Sequence, residues 1–340
     1  MTETAEQSGP RMTLSRIAAE AMVSVSSVSK VLNGRPGVSL ETRERIEELL
    51  DRNGYMPRRS DRAFPPLIDI VFAEIDTAWA VEIIRGVEQV ASENGMGVVV
   101  SQSGDRYSPG SAWVESVLNR RTSGVILVLS DLPEADKQRL RTRSIPFVIV
   151  DPSGDPAPDV PSIGSANWNG GFLAARHLID QGHREIGMIT GPSDMMCSRA
   201  RFSGYRAALE SAGIPFREDY VRVGSFHHRD GVEHGRALLE RADRPTAIFA
   251  GSDLQALGVY EAARALGLGI PGDISIVGYD DLNIAQWAGP PLTTVRQPLV
   301  EMAEEAARLV LRLRDGQRAD SLRIDLATQL VVRESTRSLS

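Results

Sequence analysis

The sequence predicts an all-α unit at the N-terminus, followed by an α/β core of two parallel-sheet subdomains in tandem. Three observations carry that prediction. The chain has 340 residues, 42% of them hydrophobic, which is more than one ordinary core accommodates. Between Leu14 and Asn53 apolar side chains recur at helical spacing behind serine and threonine caps. From Leu67 onward short apolar runs alternate with amphipathic stretches, the pattern of βαβ units.

Thr13 stands where it can cap a helix over 14–21, in which Leu14, Ile17, Ala18 and Ala21 share one face. A tight break at Met22-Val23 leads into "SVSSVSKVLNG". Its alternation of hydroxyls and valines suggests a strand, but with Ser24 as N-cap, Val25, Val28, Val31 and Leu32 fit helical spacing better. Ser39 caps a third helix, Leu40 to Asn53, with Ile46, Leu49 and Leu50 inward and Gly54 as a left-handed stop. The next stretch, "YMPRRSDRAFPP", is basic, proline-bounded and poor in apolar residues, so it reads as a hinge. Strands at "LIDIVFA", "GVVVS", "GVILVLS" and "PFVIVD" build the first subdomain, and "EIGMIT", "VRVGSF", "AIFAG" and "DISIVGYDD" the second, each with intervening helices and right-handed crossovers. The expected organisation is a disordered tail over 1–12, a helical domain over 13–56, a hinge over 57–66 and a core over 67–340. Within the core, subdomain one is expected to cover about 67–163 and 297–320, and subdomain two about 164–292 and 321–340. Ligands of such sheets sit at the carboxyl ends of the strands, here in a cleft between the halves.

Charge separates the two parts. Net charge is −7, but residues 1–64 hold 10 Lys+Arg against 9 Asp+Glu, which leaves 28 against 36 for the remainder. The single cysteine, Cys197, excludes an intramolecular disulfide and an all-cysteine metal site. No apolar run approaches the roughly 18 residues of a membrane span, and "MTETAEQSGPRM" lacks the apolar core of a signal peptide, so a cytoplasmic location is expected.

The stretch "LSRIAAEAMVSVSSVSKVLNGRPGVSLETRERIEELLDRNGYMP" resembles the headpiece of LacI/GalR-type transcriptional repressors. The resemblance continues through "HLIDQGHREIGMITG", "RARFSGYRAAL", "RPTAIFAGSDLQALGVYEAARALGLGIPGDISIVGYDDL" and "PPLTTVRQP". It implies a helix-turn-helix headpiece, a periplasmic-binding-protein-like core, a homodimer on a palindromic operator, and a small molecule in the cleft that sets operator affinity. In a helix-turn-helix the second helix enters the major groove. Val25, Ser26 and Lys30 are then expected at base edges, Val25 against a thymine methyl and Lys30 at guanine acceptors. Ser24, Ser27, Ser29 and Asn33 are expected near the DNA backbone, and Thr13 is a further DNA-binding candidate. Met22 replaces the family's usual turn glycine, at a cost of about 1 kcal/mol for a left-handed residue. In the hinge, Arg58, Asp61 and Phe64 stand where the family often has asparagine, alanine and a leucine wedged into the minor groove. Phe64 is expected to wedge a base step, with Arg58 and Arg62 meeting phosphates against the repulsion of Asp61.

Sugar sites combine an aromatic platform with charged side chains that fork between neighbouring hydroxyls. Trp79, Phe226 and Trp287 follow strands and are expected at the cleft as aromatic candidates. Arg201 in "SRARFSGY" and Asp280 in "GYDDL" match family positions that commonly bind effector. Asp253, at a position that often caps its helix, ranks below Asp280, and Asp76 and Asp131 at strand ends are weaker candidates. Met195 stands where the purine-binding member has an arginine, which disfavours a purine. The effector expected is a mono- or oligosaccharide inducer; the alternatives are a purine- or nucleoside-responsive repressor, a repressor without effector control, and an exported solute-binding protein. No Walker loop, HExxH, GxSxG or G-x-G-x-x-G after the first strand supports an enzyme. His227, His228 and His234 do not share one helical face, so neither a metal nor a cofactor is expected.

Overall fold

The computed structural model describes the chain except residues 1–12, 33–36, 53–65, 76, 105–110, 121, 130–131, 155, 318, 320 and 340. The expected tail over 1–12, the hinge up to residue 65 with Arg58, Asp61, Arg62 and Phe64, and Asn33, Asn53, Gly54, Asp76 and Asp131 therefore lie outside the described residues. The chain divides into two units, Met1–Phe64 and Pro65–Ser340.

In the first unit, helices α1 (Leu14–Glu20), α2 (Val25–Leu32) and α3 (Leu40–Arg52) enclose a core of Ile17, Ala18, Ala21, Val28, Val31, Ile46 and Leu50. These apolar positions recur at three- and four-residue spacing, so each helix buries one stripe. Ser24 caps α2 through its hydroxyl, which accepts from the Ser27 amide at 3.1 Å, and Ser39 does the same for Thr42 at 3.4 Å. Thr13 occupies the N-cap position of α1, but its side chain makes no cap bond, contrary to the sequence expectation; only its carbonyl enters the helix ladder. The turn between α1 and α2 does place Met22 in the left-handed region, φ 52°. Its side chain is 84% exposed, so no packing offsets the backbone cost.

The second unit holds two six-stranded sheets. The first contains β1 (Leu67–Phe72), β2 (Gly97–Gln102), β3 (Gly124–Val128), β4 (Phe147–Val150), β5 (Ser162–Ser165) and β11 (Arg323–Leu326), in the order β11-β5-β4-β3-β1-β2. Helices α4 (Ala78–Glu93), α5 (Ser111–Arg120) and α6 (Glu134–Thr142) connect its strands. The second contains β6 (Ile186–Thr190), β7 (Val221–Val223), β8 (Ala247–Ala250), β9 (Ser275–Asp280), β10 (Thr293–Arg296) and β12 (Gln329–Val331), in the order β12-β10-β9-β8-β6-β7. Its helices are α7 (Asn167–Asp180), α8 (Met196–Ser211), α9 (His228–Leu239), α10 (Asp253–Ala265) and the short α11 (Asn283–Trp287); α12 (Leu299–Arg314) returns to pack on α4 under the first sheet. All strand pairs are parallel except β10 with β12. Central strands such as β3 and β4 are buried at every position, as helices on both faces require.

The sheets correct the expected subdomain boundaries. Strand β5 ends at Ser165 and β11 at Leu326, and the two pair in register, Arg323 with Ser162. Residues 164–165 and 321–326 thus belong with the first subdomain, whereas the sequence reading assigned them to the second. The chain crosses between sheets at 165–167, 296–299 and 326–329. Next to the first crossing, α7 and α8 pack backbone to backbone. A Cβ on Gly171 would lie 2.1 Å from the Arg201 carbonyl oxygen, and one on Gly204 would lie 2.0 Å from that of Trp168. This close approach brings α7 and α8 together at the cleft.

Candidate functional site

The cleft between the sheets has a volume of about 530 Å³, within the range of small-molecule sites. Four predicted residues line it: Trp79 on α4, Arg201 on α8, Phe226 after β7 and Asp280 at the end of β9. The fold delivers them from both lobes because strand ends and helix starts of parallel units converge on one edge.

Arg201 is the centre. It is 4% exposed, and its Nε donates to Asn167 Oδ1 at 2.8 Å, one Nη to the Gly251 carbonyl at 2.7 Å and the other to Gln297 Oε1 at 3.3 Å. The guanidinium lies 3.7 Å from the Tyr279 ring centroid and 5.4 Å from that of Phe226, so the cation lies over two aromatic rings. Asp280 Oδ1 approaches it at 3.9 Å. Burial raises the Asp280 carboxyl well above the usual carboxylate range, and Arg201 opposes that rise without cancelling it. The result is a fixed donor beside a carboxyl group, an arrangement that pairs with adjacent hydroxyls of a polyol. Phe226 is held against Gly191, where a Cβ would come within 2.0 Å of the ring, so the absent side chain leaves the ring its place.

Two further predicted residues do not reach the cleft wall. Asp253 is fully buried and serves the scaffold: its oxygens accept from the Leu282 amide at 2.8 Å and the Thr294 hydroxyl at 2.6 Å. Ser252, not Asp253, caps α10, accepting from the Gln255 amide at 3.1 Å. Trp287 ends α11 and is 78% exposed away from the cleft lining, because the five-residue helix carries it past the strand end.

The sequence reading missed Asp151, which follows β4 and lines the cleft at 3% exposure. The rule that singled out Asp76 and Asp131, an acidic residue at a strand end, also describes "FVIVD". Burial raises its carboxyl; Arg201, Gln297 and Asn167 oppose that rise. Cys197 is also in the lining, with burial, and secondarily Asp151, pushing its thiol up to about 12. It stays protonated and inert. At the mouth, His227 Nε2 faces Glu74 Oε2 at 3.4 Å across the two lobes. Backbone strain concentrates here too. Of seven described non-glycine residues with positive φ, Leu129, Asp151, Phe226 and Asp280 line the cleft.

In the helical unit, α2 turns Val28 and Val31 inward and leaves Val25, at 45% exposure, Ser26 and Lys30 outward. The hydroxyls of Ser24, Ser26 and Ser27 join at the helix start, Ser24 Oγ lying 2.7 Å from Ser26 Oγ and 2.9 Å from Ser27 Oγ. Thr13 is exposed at the start of α1. Among the described residues no group of three or more His, Cys, Asp or Glu could hold a metal, and no helix is long and apolar enough to cross a membrane.

The family model described as "Bacterial regulatory proteins, lacI family" matches residues 13–58, and "Periplasmic binding protein-like domain" matches residues 175–336. The transcriptional regulator CelR of Thermobifida fusca is 35% identical over 96% of this chain and 98% of its own. The transcriptional repressor CytR of Escherichia coli K12 is 32% identical over 96% of this chain and 97% of its own. Among solved structures, a CelR–cellobiose complex superposes with a TM-score of 0.72 at 34% identity, covering 96% of this chain and all of that one. The lac repressor dimer bound to operator and the anti-inducer ONPF gives 0.71 at 27% identity, covering 97% and 100%. These relatives are regulators, not enzymes. With the lacI family model over residues 13–58 and relatives more than 30% identical over nearly the whole chain, the protein belongs to the LacI family of DNA-binding transcriptional regulators.

Proposed function

We propose that the protein is a homodimeric, cytoplasmic repressor of a palindromic operator whose affinity is set by a mono- or oligosaccharide inducer in the cleft. The observation that carries the effector class is the Arg201–Asp280 pair beside Phe226, in a cleft that Trp79 also lines. A guanidinium and a carboxyl group in a fixed relation suit vicinal hydroxyls, and aromatic faces suit a pyranose ring. The cellobiose carried by the CelR complex supports this reading.

On the DNA side, residues 13–56 form the headpiece and 57–66 the hinge. Val25, Ser26 and Lys30 read base edges; Thr13, Ser24, Ser27, Ser29 and Asn33 meet the backbone; Arg58 and Arg62 contact phosphates beside the Phe64 wedge. Effector closure of the lobes shifts the first subdomains of the dimer, so the two hinges no longer order together on the operator. Ligand and operator are then reciprocally linked. Driving occupancy from nearly full to nearly empty takes a preference of about 5 kcal/mol for the DNA-incompetent state.

A thermal-shift screen of cellobiose, other sugars and nucleobases, followed by gel shifts with the hits, tests both halves. Sugars are expected to raise the melting temperature and release operator. Stabilisation by nucleobases alone overturns the sugar assignment, and sugar binding without any change in operator affinity overturns the coupling.

A further inference from the structure

Asn167 and Gln297 are buried amides on two of the three segments that cross between the lobes. Asn167 closes the 165–167 crossing as the first residue of α7, and Gln297 lies within the 296–299 crossing; they are 8% and 2% exposed. Each faces a charge from either lobe. Toward subdomain two, both accept from Arg201, at 2.8 Å and 3.3 Å. Toward subdomain one, Asn167 Nδ2 donates to Asp151 Oδ1 at 3.5 Å, and the Gln297 side chain stands beside the same carboxyl and helps hold its pKa down, its Nε2 lying 3.8 Å from Met302 Sδ. Gln297 is further tied to the site by its backbone amide, which donates to the Asp280 carbonyl at 3.2 Å. A guanidinium of one lobe and a carboxyl group of the other are thus bridged by Asn167, with Gln297 held by Arg201 beside the same carboxyl, both on segments that cross between the lobes.

We infer that Asn167 and Gln297 are positioning residues that fix the interlobe angle by bridging Arg201 and Asp151. An effector that competes for either charged group changes the bridge, and the crossing strands turn in response. This inference rests on the effector reading of the cleft, because only then does the angle carry a signal. An amide suits the task because it accepts from a cation and donates to an anion at once; a carboxylate or a hydrocarbon of the same size does only one or neither. The buried network makes each partner costly to lose.

A charge swap tests the bridge in the full chain, without sugar or DNA. The readout is hydrogen exchange at the Met196 amide, which donates across the lobes to the Ser153 carbonyl at 2.8 Å and so reports closure. Gln297→Glu keeps the acceptor for Arg201 but sets a carboxylate against Asp151, and exchange at Met196 should rise about tenfold or more. Adding Asp151→Asn restores one amide and one carboxylate in exchanged places, and exchange should return to within about twofold of the parent. Both substitutions are nearly isosteric, so a purely space-filling role predicts no such rescue. Unchanged exchange in Gln297→Glu, additive rather than compensating effects, or a double variant that fails to fold overturns the bridge. Should Gln297→Glu alone not fold, recovery of folding and protection in the double variant supports it. Because no sugar enters the measurement, its failure leaves sugar binding standing, and failure of cellobiose to bind leaves the bridge standing.

Discussion

Replacing Arg201 with methionine probes the centre of the cleft with a side chain of similar length and no charge. Three buried acceptors, on Asn167, Gly251 and Gln297, lose donors now at 2.8, 3.3 and 2.7 Å, the middle distance belonging to Gln297 and the last to Gly251. Asp151 and Asp280 lose the cation that opposes their desolvation. An orphaned buried acceptor costs about 1–3 kcal/mol, but the three share one network and do not add; breaking a buried pair from one side costs about 3–5 kcal/mol in total. Burial raises both carboxyls on folding, so each holds its proton more tightly folded than unfolded. Folding is therefore favoured as pH falls toward the ordinary carboxylate value of about 4 and opposed as pH rises above it. Removing Arg201 raises both groups further. The deficit should be about 4 kcal/mol at pH 8 and shrink to about 2 kcal/mol at pH 5, where the acids are more readily neutral and the lost hydrogen bonds remain. For a core of this size the melting temperature should fall by about 8–16 °C at pH 8. Urea unfolding followed by fluorescence at both pH values measures it. A deficit under about 1 kcal/mol, or one independent of pH, would refute the assignment of Arg201 as counter-charge to the two acids.

Lys30→Ala should relax base preference at one operator position by about 1–3 kcal/mol while changing the salt dependence of nonspecific binding by about one ion or less; equal losses on specific and random DNA would contradict a base-reading role. Phe64→Ala should weaken operator binding strongly and leave any sugar-induced thermal shift intact, and an unchanged operator affinity in gel shifts would remove the wedge. His183 is clasped between Thr246 Oγ1 at 2.9 Å and the Arg337 carbonyl at 3.1 Å, and burial lowers its pKa below the usual 6.5. Such a histidine protonates first in the unfolded chain, so stability should decline as pH falls below about 6.5, and His183→Gln should flatten that decline between pH 7 and 5; an identical pH profile in the variant would show that the clasp does not titrate.

The elements were legible where one period dominates. The stripe Val28 and Val31 overrode the strand-like alternation of "SVSSVSKVLNG", because helical burial needs only three- and four-residue spacing and a cap, and Ser24 supplies the cap. Strand β11, "RIDL", was assigned to the wrong lobe for the opposite reason. It is an edge strand with alternating exposure, its burial comes from one neighbour, and nothing local says which sheet supplies that neighbour. Trp287 misled because aromatic character does not encode the direction of a turn, and α11 points it outward.

The acids expected at the cleft show where sequence reading stops. Asp253 and Asp280 both follow strand-like apolar runs, and both are buried by the fold. They differ in what meets them. The oxygens of Asp253 are both taken, by the Leu282 amide and the Thr294 hydroxyl, so it ties the start of α11 to β10 and has nothing left for a ligand. Asp280 faces Arg201 at 3.9 Å, from a backbone at φ 112° that few side chains tolerate. Asp151 repeats the pattern at φ 48°, and Leu129 and Phe226 do so without charge. A glycine would relieve strain of about 1 kcal/mol or more at each position, yet the chain keeps side chains there, all directed at one cavity. Local propensity and tertiary structure thus disagree at several points that converge on one place, and such disagreement marks a binding site more sharply than residue type does.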